Sequence, residues 1–261
     1  MAHTRAVRWT WLIAGLALAT VLFAPARWLG VGLEAASAGR VQLANARGTV
    51  WSGQADLLLS GGEGSRDKTA LPQGLRWKLR PSWNSGPTLK ARLTSPCCTE
   101  APVTVRLRPG LDGVALQFGA FNSRWPAALL VGLGAPWNTL GLDGQLQLQS
   151  PGFTVAWHGG RPQLKGQLTI EGHDLATRLS TLRPLGSYRI DIQGAPQGDQ
   201  ATFALSTLSG SLQLQGNGQW VEGRLRFRGD ASAAPGAEDA LANLLSILGQ
   251  REGARSLLNF G

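Results

Sequence analysis

The sequence predicts a mainly β protein: an N-terminal transmembrane helix, then a long curved antiparallel sheet with a few short helices. From residue 40 onward, short segments alternate apolar and polar residues, and many of the 35 glycines lie between them. Near the N-terminus a single apolar run carries no charge. Alternation with a period of two places leucines on one face of a sheet and Gln, Arg and Lys on the other. It therefore indicates a sheet with one buried and one solvated face.

The uncharged run covers residues 9–26 and follows Arg5 and Arg8. At 1.5 Å per residue this run spans roughly 27 Å, close to the thickness of a bilayer core. A basic flank stays in the cytoplasm, so residues 1–8 form a cytoplasmic tail and the bulk of the chain is exported. The predicted location is the bacterial inner membrane, with one span and a periplasmic domain.

A cleaved signal peptide is the alternative to a membrane anchor. Ala24-Pro25-Ala26 has the small-x-small form of a cleavage site, and residues 36–38 repeat it. The apolar run, however, exceeds the usual signal core, and a proline just before the cleavage position is unfavourable. An uncleaved anchor is favoured, and both alternatives export the residues beyond 30.

The exported part is predicted to form a first β unit over 27–122 and a second over 123–261. Residues 75–94 and 154–170 each place a strand-borne tryptophan shortly before a strand that begins with Leu-Lys. Two tandem β units explain this likeness, and chance similarity between β hairpins explains it as well. Residues 61–69 are predicted to form an exposed loop.

Helical periodicity interrupts the strands in three places. Short helices are predicted over 123–131 and 173–182, and a longer C-terminal helix over 237–249. The longer one begins with acidic residues and has four leucines on one face: Leu241, Leu244, Leu245 and Leu248. A final strand follows at residues 256–260.

Charge and motifs indicate no chemistry. The net charge is +9, but the arginines occur singly in strands and predict a solvated face, without any motif typical of nucleic-acid binding. No metal, cofactor or small-molecule substrate is expected, and no residue is predicted to be catalytic. His173 beside Asp174 is predicted to begin a helix; an exported hydrolase that uses this pair is the alternative.

The sequence contains two cysteines, the neighbours Cys97 and Cys98. A disulfide between neighbouring residues requires a strained turn, which Pro96 makes plausible. Two free thiols, or pairing to another chain, are the alternatives.

Tryptophans recur on or beside the predicted strands. Either they fill the core of a curved sheet, or some form an exposed patch for a protein partner or an acyl chain. Those concerned are Trp51, Trp77, Trp83, Trp125, Trp137, Trp157 and Trp220.

Several strings in order resemble protein N of type II secretion systems (general secretion pathway protein N). They are RGTVWSGQA at 47–55, LRWKLRPSW at 75–83, LSTLRPLGSYRIDIQG at 179–194, LSGSLQLQGNGQW at 208–220 and LLSILGQREG at 244–253. The matching residues, whose roles are unknown, include Gly48, Trp51, Gly53, Trp77, Pro81, Leu185, Gly186, Tyr188 and Trp220.

The resemblance implies an accessory inner-membrane component of the type II secretion system, without enzymatic activity. It implies a periplasmic scaffold whose partners are other secretion subunits, in the inner-membrane platform or the secretin. A periplasmic lipid-binding or lipid-transfer-like β module is the alternative, because a curved sheet with an apolar inner face can hold acyl chains.

Overall fold

The structure, a computed structural model, describes residues 13–83, 86–110, 112–159, 161–198, 200–221 and 224–261. They form one antiparallel sheet of 16 strands with a few short helices, which confirms the mainly β class and the long antiparallel sheet of the prediction. The strands are β1 Val41–Gly48, β2 Ser52–Ser60, β3 Lys68–Ala70, β4 Leu75–Ser82, β5 Thr88–Thr94, β6 Val103–Gly110, β7 Gly113–Phe118, β8 Phe121–Pro126, β9 Asp143–His158, β10 Arg161–Ala176, β11 Gly186–Gly194, β12 Gln200–Gly210, β13 Leu212–Val221, β14 Arg224–Ala233, β15 Gln250–Glu252 and β16 Arg255–Phe260.

The sheet is a long meander in which most neighbouring strands are also consecutive in the chain. The spatial order is β1-β2-β4-β5-β6-β7-β9-β10-β11-β12-β13-β14-β16-β15, with β3 on β2 and β8 on β9. Because the strands alternate in direction, β1, β4, β6, β9, β11 and β13 all end at the same end of the sheet. We call this the α1 end, since helix α1 joins the sheet there.

The helices are α1 at 13–22, α2 at Ala26–Ala36, a 3-10 helix at Ala127–Leu133, α3 at Trp137–Leu140 and α4 at Glu238–Leu248. Helix α4 confirms the helix predicted over 237–249: three of its four leucines are buried and Leu248 packs beside them. Among the described residues, no helix has the length and apolar character needed to cross a membrane.

The helix formed by the apolar run ends earlier than predicted. Residues 9–12 of the predicted span lie outside the described residues, and helix α1 ends at residue 22. Pro25 is extended (ψ 145°) and bridges to Thr49, because proline lacks the N–H that would continue the helix. Helix α2 then begins at Ala26, so residues 23–26 belong to the folded unit.

The predicted helix over 123–131 is wrong in its first half. Residues 123–126 lie in β8, where Ser123 pairs with Leu148 of β9 and the Trp125 indole N–H donates to the Ser123 hydroxyl. Pairing along β9 satisfies the backbone, so the helical turn begins only after Pro126. The predicted loop at 61–69 is likewise shorter, since Lys68 begins β3.

The predicted helix over 173–182 is wrong as well. Strand β10 continues to Ala176, and the residues after it form a non-helical connection to β11. Asp174 has φ +50° at an irregularity in the ladder, and its N–H donates to the Ser187 hydroxyl. This irregularity lets Leu175 pack against the C-terminal core, which overrides the local helical pattern.

Two apolar cores lie near opposite edges of the sheet, and a third, smaller apolar cluster is present. The N-terminal core surrounds Trp77 under α2, and the C-terminal core lies under α4. The small cluster contains Leu71, Cys98 and Leu129. Strand β7 pairs directly with β9, so the sheet continues across the predicted boundary at residues 122 and 123, and the division into two β units remains a prediction.

Candidate functional site: a basic sheet face

The solvated face of β4, β5 and β6 carries a concentrated group of cations. Alternation turns Trp77 and Leu79 toward the N-terminal core, so their neighbours point to the other side of the sheet. These strands contain no Asp or Glu. We call the resulting surface the basic face; it consists of Arg76, Lys78, Arg80, Lys90, Arg92 and Arg106.

Strand register places five of these six cations directly opposite one another. Lys78 pairs with Arg92, Arg80 pairs with Lys90, and Lys90 in turn pairs with Arg106. Like charges at directly opposed positions destabilise a sheet. Within the part of the chain that the structure describes, none of the six forms an ion pair with a carboxylate. The face therefore carries positive charge that no carboxylate of the described residues balances.

A groove of about 720 Å³ opens on the basic face. Arg47, Arg76, Lys78 and Arg92 contribute to its lining, so four cations meet there. Gly53 lies where the indole of Trp77 passes: a Cβ at this position would be 2.5 Å from the ring. Only glycine at this position lets the indole lie against β2.

The N-terminal core holds this region in place. Trp77 is 2% exposed, and its indole N–H donates to the Val50 carbonyl at 3.0 Å. The Trp51 indole N–H donates to the Val21 carbonyl of helix α1 at 2.8 Å. The Val50 N–H donates to the Ala24 carbonyl at 2.8 Å. The turn between β1 and β2 therefore fixes the base of α1 beside the basic face.

The α1 end also carries exposed aromatic and apolar side chains. Trp83, directly after β4, is 74% exposed, and Trp157, near the end of β9, is 36% exposed. On helix α1 and just after it, Ile13, Leu16 and Phe23 are all more than half exposed. This end combines apolar side chains with the cations of the adjacent face.

The family comparison decides which class of protein has this architecture. The family model described as type II secretion system (T2SS), protein N, matches residues 39–257. The chain belongs to this family. The same comparisons return no matching curated protein and no matching solved structure. Membership confirms the resemblance, and it places the chain in type II secretion, in association with the cell envelope and with other secretion subunits.

The family-motif residues fall into separate groups. Gly48, Trp51, Gly53 and Trp77 meet at the first turn of the sheet and form the wall between groove and N-terminal core. Gly48 has φ +92°, and a Cβ there would lie 2.5 Å from the Ser52 carbonyl oxygen. This group therefore shapes the basic groove, although none of its members is charged.

The second group belongs to the C-terminal core. Leu185 and Tyr188 are buried there, and the Tyr188 hydroxyl donates to the Leu212 carbonyl at 3.0 Å. Burial raises the pKa of the Tyr188 phenol above its ordinary value. A Cβ on Gly186 would lie 2.4 Å from the Ser209 carbonyl oxygen, so this position requires close backbone approach.

Pro81 and Trp220 belong to neither group. Pro81 is exposed on β4, opposite Leu89. Trp220 is half-buried on β13, and its indole nitrogen has no hydrogen-bond partner among the described residues. Of the other tryptophans, Trp125 packs in the small cluster and Trp137 is 36% exposed.

The cysteines lie in a tight turn between β5 and β6. The sulfur atoms of Cys97 and Cys98 are joined as a disulfide, and the Ser95 hydroxyl lies 3.2 Å from the Cys97 sulfur. Cys98 is buried against Leu71 and Leu129. Among the described residues, no three His, Cys, Asp or Glu side chains gather where a metal ion would fit.

His173 is not at a helix start but in β10. Its Nε2 lies 3.2 Å from Glu171 Oε2, and Arg189 donates to Oε1 of the same carboxylate at 2.6 and 2.9 Å. Asp174 is instead held through its backbone by Ser187. The structure thus gives His173 a different carboxylate from the one predicted for a hydrolase.

Sequence reasoning missed the basic face because it treated each arginine separately. The signal was present: β4, β5 and β6 repeat cations at every second position without an acid. Only the register shows that these cations lie opposite one another, and register depends on turn lengths rather than on composition.

Proposed function

We propose that this chain is an accessory inner-membrane component of the type II secretion system that acts as a non-enzymatic periplasmic scaffold. The observation that carries the proposal is the exposed apolar helix α1, fixed to the first turn of a sheet that spans the whole described domain. A membrane-held sheet of this length offers a large surface to other secretion subunits. The N-terminus is cytoplasmic and the sheet periplasmic.

The contacts of the N-terminal segment favour an anchor over a cleaved signal. The Val21 and Ala24 carbonyls accept hydrogen bonds from Trp51 and Val50, and Ala26 is 1% exposed against the N-terminal core. Cleavage after Ala26 would remove both acceptors. Without these acceptors, the indole of Trp51 and the N–H of Val50 would have to find other partners.

A pull-down from detergent-solubilised membranes tests the scaffold. The full chain should capture secretion subunits of the inner-membrane platform or the secretin, detected with specific antibodies. A chain in which residues 1–22 are replaced by an unrelated membrane anchor should capture them equally well. A chain that retains only residues 1–22, fused to an inert domain, should capture none, and association of this control would contradict the proposal.

A lipid-binding module is the second candidate function. Helix α2 packs on the β1–β2 side of the inner face and α4 on the β14–β16 side. Between these helices, apolar side chains are only partly buried across several strands, among them Leu107, Leu116, Val155, Leu164, Ile190 and Ile192. An acyl chain would cover such a stripe.

Native mass spectrometry separates the two functions. A lipid-binding module should carry phospholipid after mild extraction, and Leu116→Gln together with Val155→Gln should remove it, because polar side chains cannot contact acyl chains favourably. The same changes in a scaffold should leave subunit capture intact. A lipid-free wild-type protein would contradict the lipid module.

A further inference from the structure

We propose that the α1 end of the sheet rests on an anionic membrane surface, with Trp83 among the lipid headgroups and Arg80, Lys90 and Arg106 against their negative charges. The inference rests on the membrane anchor of the proposed function. It adds a second contact with the bilayer, made by the sheet itself.

Topology places these residues beside the anchor. Helix α1 is fixed to the turn between β1 and β2 through Trp51 and Val50, and α2 runs from there along β1. The turn after β4, which contains Trp83, lies at the same end because β4 is parallel to β1 in the meander. A bilayer that holds α1 therefore lies at the end from which Trp83 projects.

The strand register places the exposed tryptophans of this end at one level, by which we mean the same height along the direction of the strands. Ser82 pairs with Thr88, and Leu89 pairs with Leu107, so Trp83 lies at the level of Pro109. Pro109 pairs with Val114, which pairs with Trp157. Exposed tryptophans at a common level are typical of proteins that contact a membrane interface.

The cations lie close enough to the level of Trp83 to be attracted by an anionic membrane surface at that level. Arg80 lies three positions before Trp83, which is about 10 Å at the rise of a strand. Lys90 lies opposite Arg80 on one side and opposite Arg106 on the other, so the three cations are at the same level. Charges within about 10 Å of an anionic surface are attracted at physiological salt, and each contributes about fivefold to membrane affinity.

The opposing like charges support the same conclusion. Arg80, Lys90 and Arg106 destabilise the sheet by lying side by side, unless an anionic surface lies against them. An acidic protein segment would also satisfy these charges. It would not require them at the anchored end and level with exposed tryptophans, so the observations favour lipid headgroups.

Photocrosslinking in nanodiscs tests the inference with the full chain. Trp83 is replaced by p-benzoylphenylalanine, and Trp137, which is 36% exposed at the opposite end of the sheet, is replaced likewise as the matched control. The discs contain phosphatidylcholine alone or with phosphatidylglycerol. We expect several-fold more lipid crosslinking from position 83 than from 137, and a further increase with phosphatidylglycerol.

The charges are tested in the same discs. Arg80→Gln, Lys90→Gln and Arg106→Gln together should abolish the increase that phosphatidylglycerol causes at position 83. The charge-matched control, Arg178→Gln with Arg251→Gln and Arg255→Gln, removes exposed cations from the opposite end and should leave that increase intact. Thermal unfolding checks that both triple variants fold.

The outcomes distinguish the inference from the anchor on which it rests. A chain that does not enter nanodiscs overturns the anchor and, with it, the inference. A chain that enters them but crosslinks lipid equally from 83 and 137, or ignores phosphatidylglycerol, overturns the inference alone. In cells, crosslinking of position 83 to a secretion subunit in place of lipid would assign the basic face to an acidic protein segment and also overturn it.

Discussion

The solvated face of the sheet handles charge differently in its two halves. On β10 and β11, Glu171 accepts from Arg189 at 2.6 and 2.9 Å, and Asp191 accepts from Thr169 at 2.7 Å. On β13 and β14, Gln215 donates to Asp230 at 3.0 Å. The basic face on β4–β6 has no acid on its strands.

This difference distinguishes charged side chains that have partners within the sheet from charged side chains that remain available to bind a partner. Cations paired within the sheet can support folding, whereas cations placed opposite each other oppose it. Selection for stability alone does not explain the second arrangement. We therefore assign binding to the basic face and a structural role to the polar pairs of the second half.

Removing a large buried side chain from the core of each half should have the largest effect. Trp77→Ala should lower the free energy of unfolding by about 3–5 kcal/mol, because it leaves a cavity and removes the hydrogen bond to Val50. Leu241→Ala under α4 should cost about 2–5 kcal/mol. Denaturant unfolding measures both.

Hydrogen exchange then tests whether the halves are separate units. If residues 27–122 and 123–261 fold as tandem units, Trp77→Ala should increase exchange in β1–β7 and leave β11–β14 protected. Leu241→Ala should do the reverse. Loss of protection along the entire sheet in either variant would show a single cooperative unit.

The paired and unpaired cations should respond differently to neutralisation. Arg189→Gln should destabilise the chain by about 1 kcal/mol, since Glu171 is only 16% exposed and loses a charged donor. The matched change Arg92→Gln, on the basic face, should cost nothing, because it removes a like-charge contact with Lys78. Urea unfolding at low salt measures the difference, and equal losses would contradict it.

Alkaline pH should destabilise the C-terminal core through one buried group. The single tyrosine, Tyr188, has a raised pKa in the folded state because it is buried. The stability it contributes is present below the unfolded pKa of about 10 and is lost as pH rises beyond it, since unfolding then ionises the phenol.

Tyr188→Phe should remove that alkaline loss. At neutral pH the variant should be less stable by about 1 kcal/mol, because the hydrogen bond to Leu212 is absent. Unfolding free energies measured at neutral pH and above pH 10 should fall more steeply for the wild type than for the variant. Parallel pH dependences would assign the loss to other groups.

The strands could be predicted from sequence because a period of two records which face is buried. The C-terminal helix was predicted over 237–249, and α4 begins and ends within one residue of those bounds. The failures at 123–126 and 173–176 share a cause: pairing with β9 and packing of Leu175 outweigh local helical periodicity. Long-range strand pairing of this kind cannot be predicted from the residues of a short sequence segment.

The basic face could be predicted only in part. Its cations are visible in the sequence, and so is the absence of acids from β4–β6. The opposition of Arg80, Lys90 and Arg106 depends on two hairpin registers, which turn geometry sets. The position of helix α1 beside the first turn of the sheet depends on hydrogen bonds from Trp51 and Val50, and no sequence pattern predicts these bonds.

Salt should produce the smallest difference between the halves. Added salt screens repulsion on the basic face, so wild-type stability should rise by a few tenths of a kcal/mol, roughly the scale of exposed charge interactions. The variant with Arg80→Gln, Lys90→Gln and Arg106→Gln should already have this gain at low salt and should respond little. Because sulfate also strengthens apolar burial, the titration uses sodium chloride. If the variant and the wild type respond alike, the three cations do not repel one another, and the comparison between the halves loses its electrostatic basis.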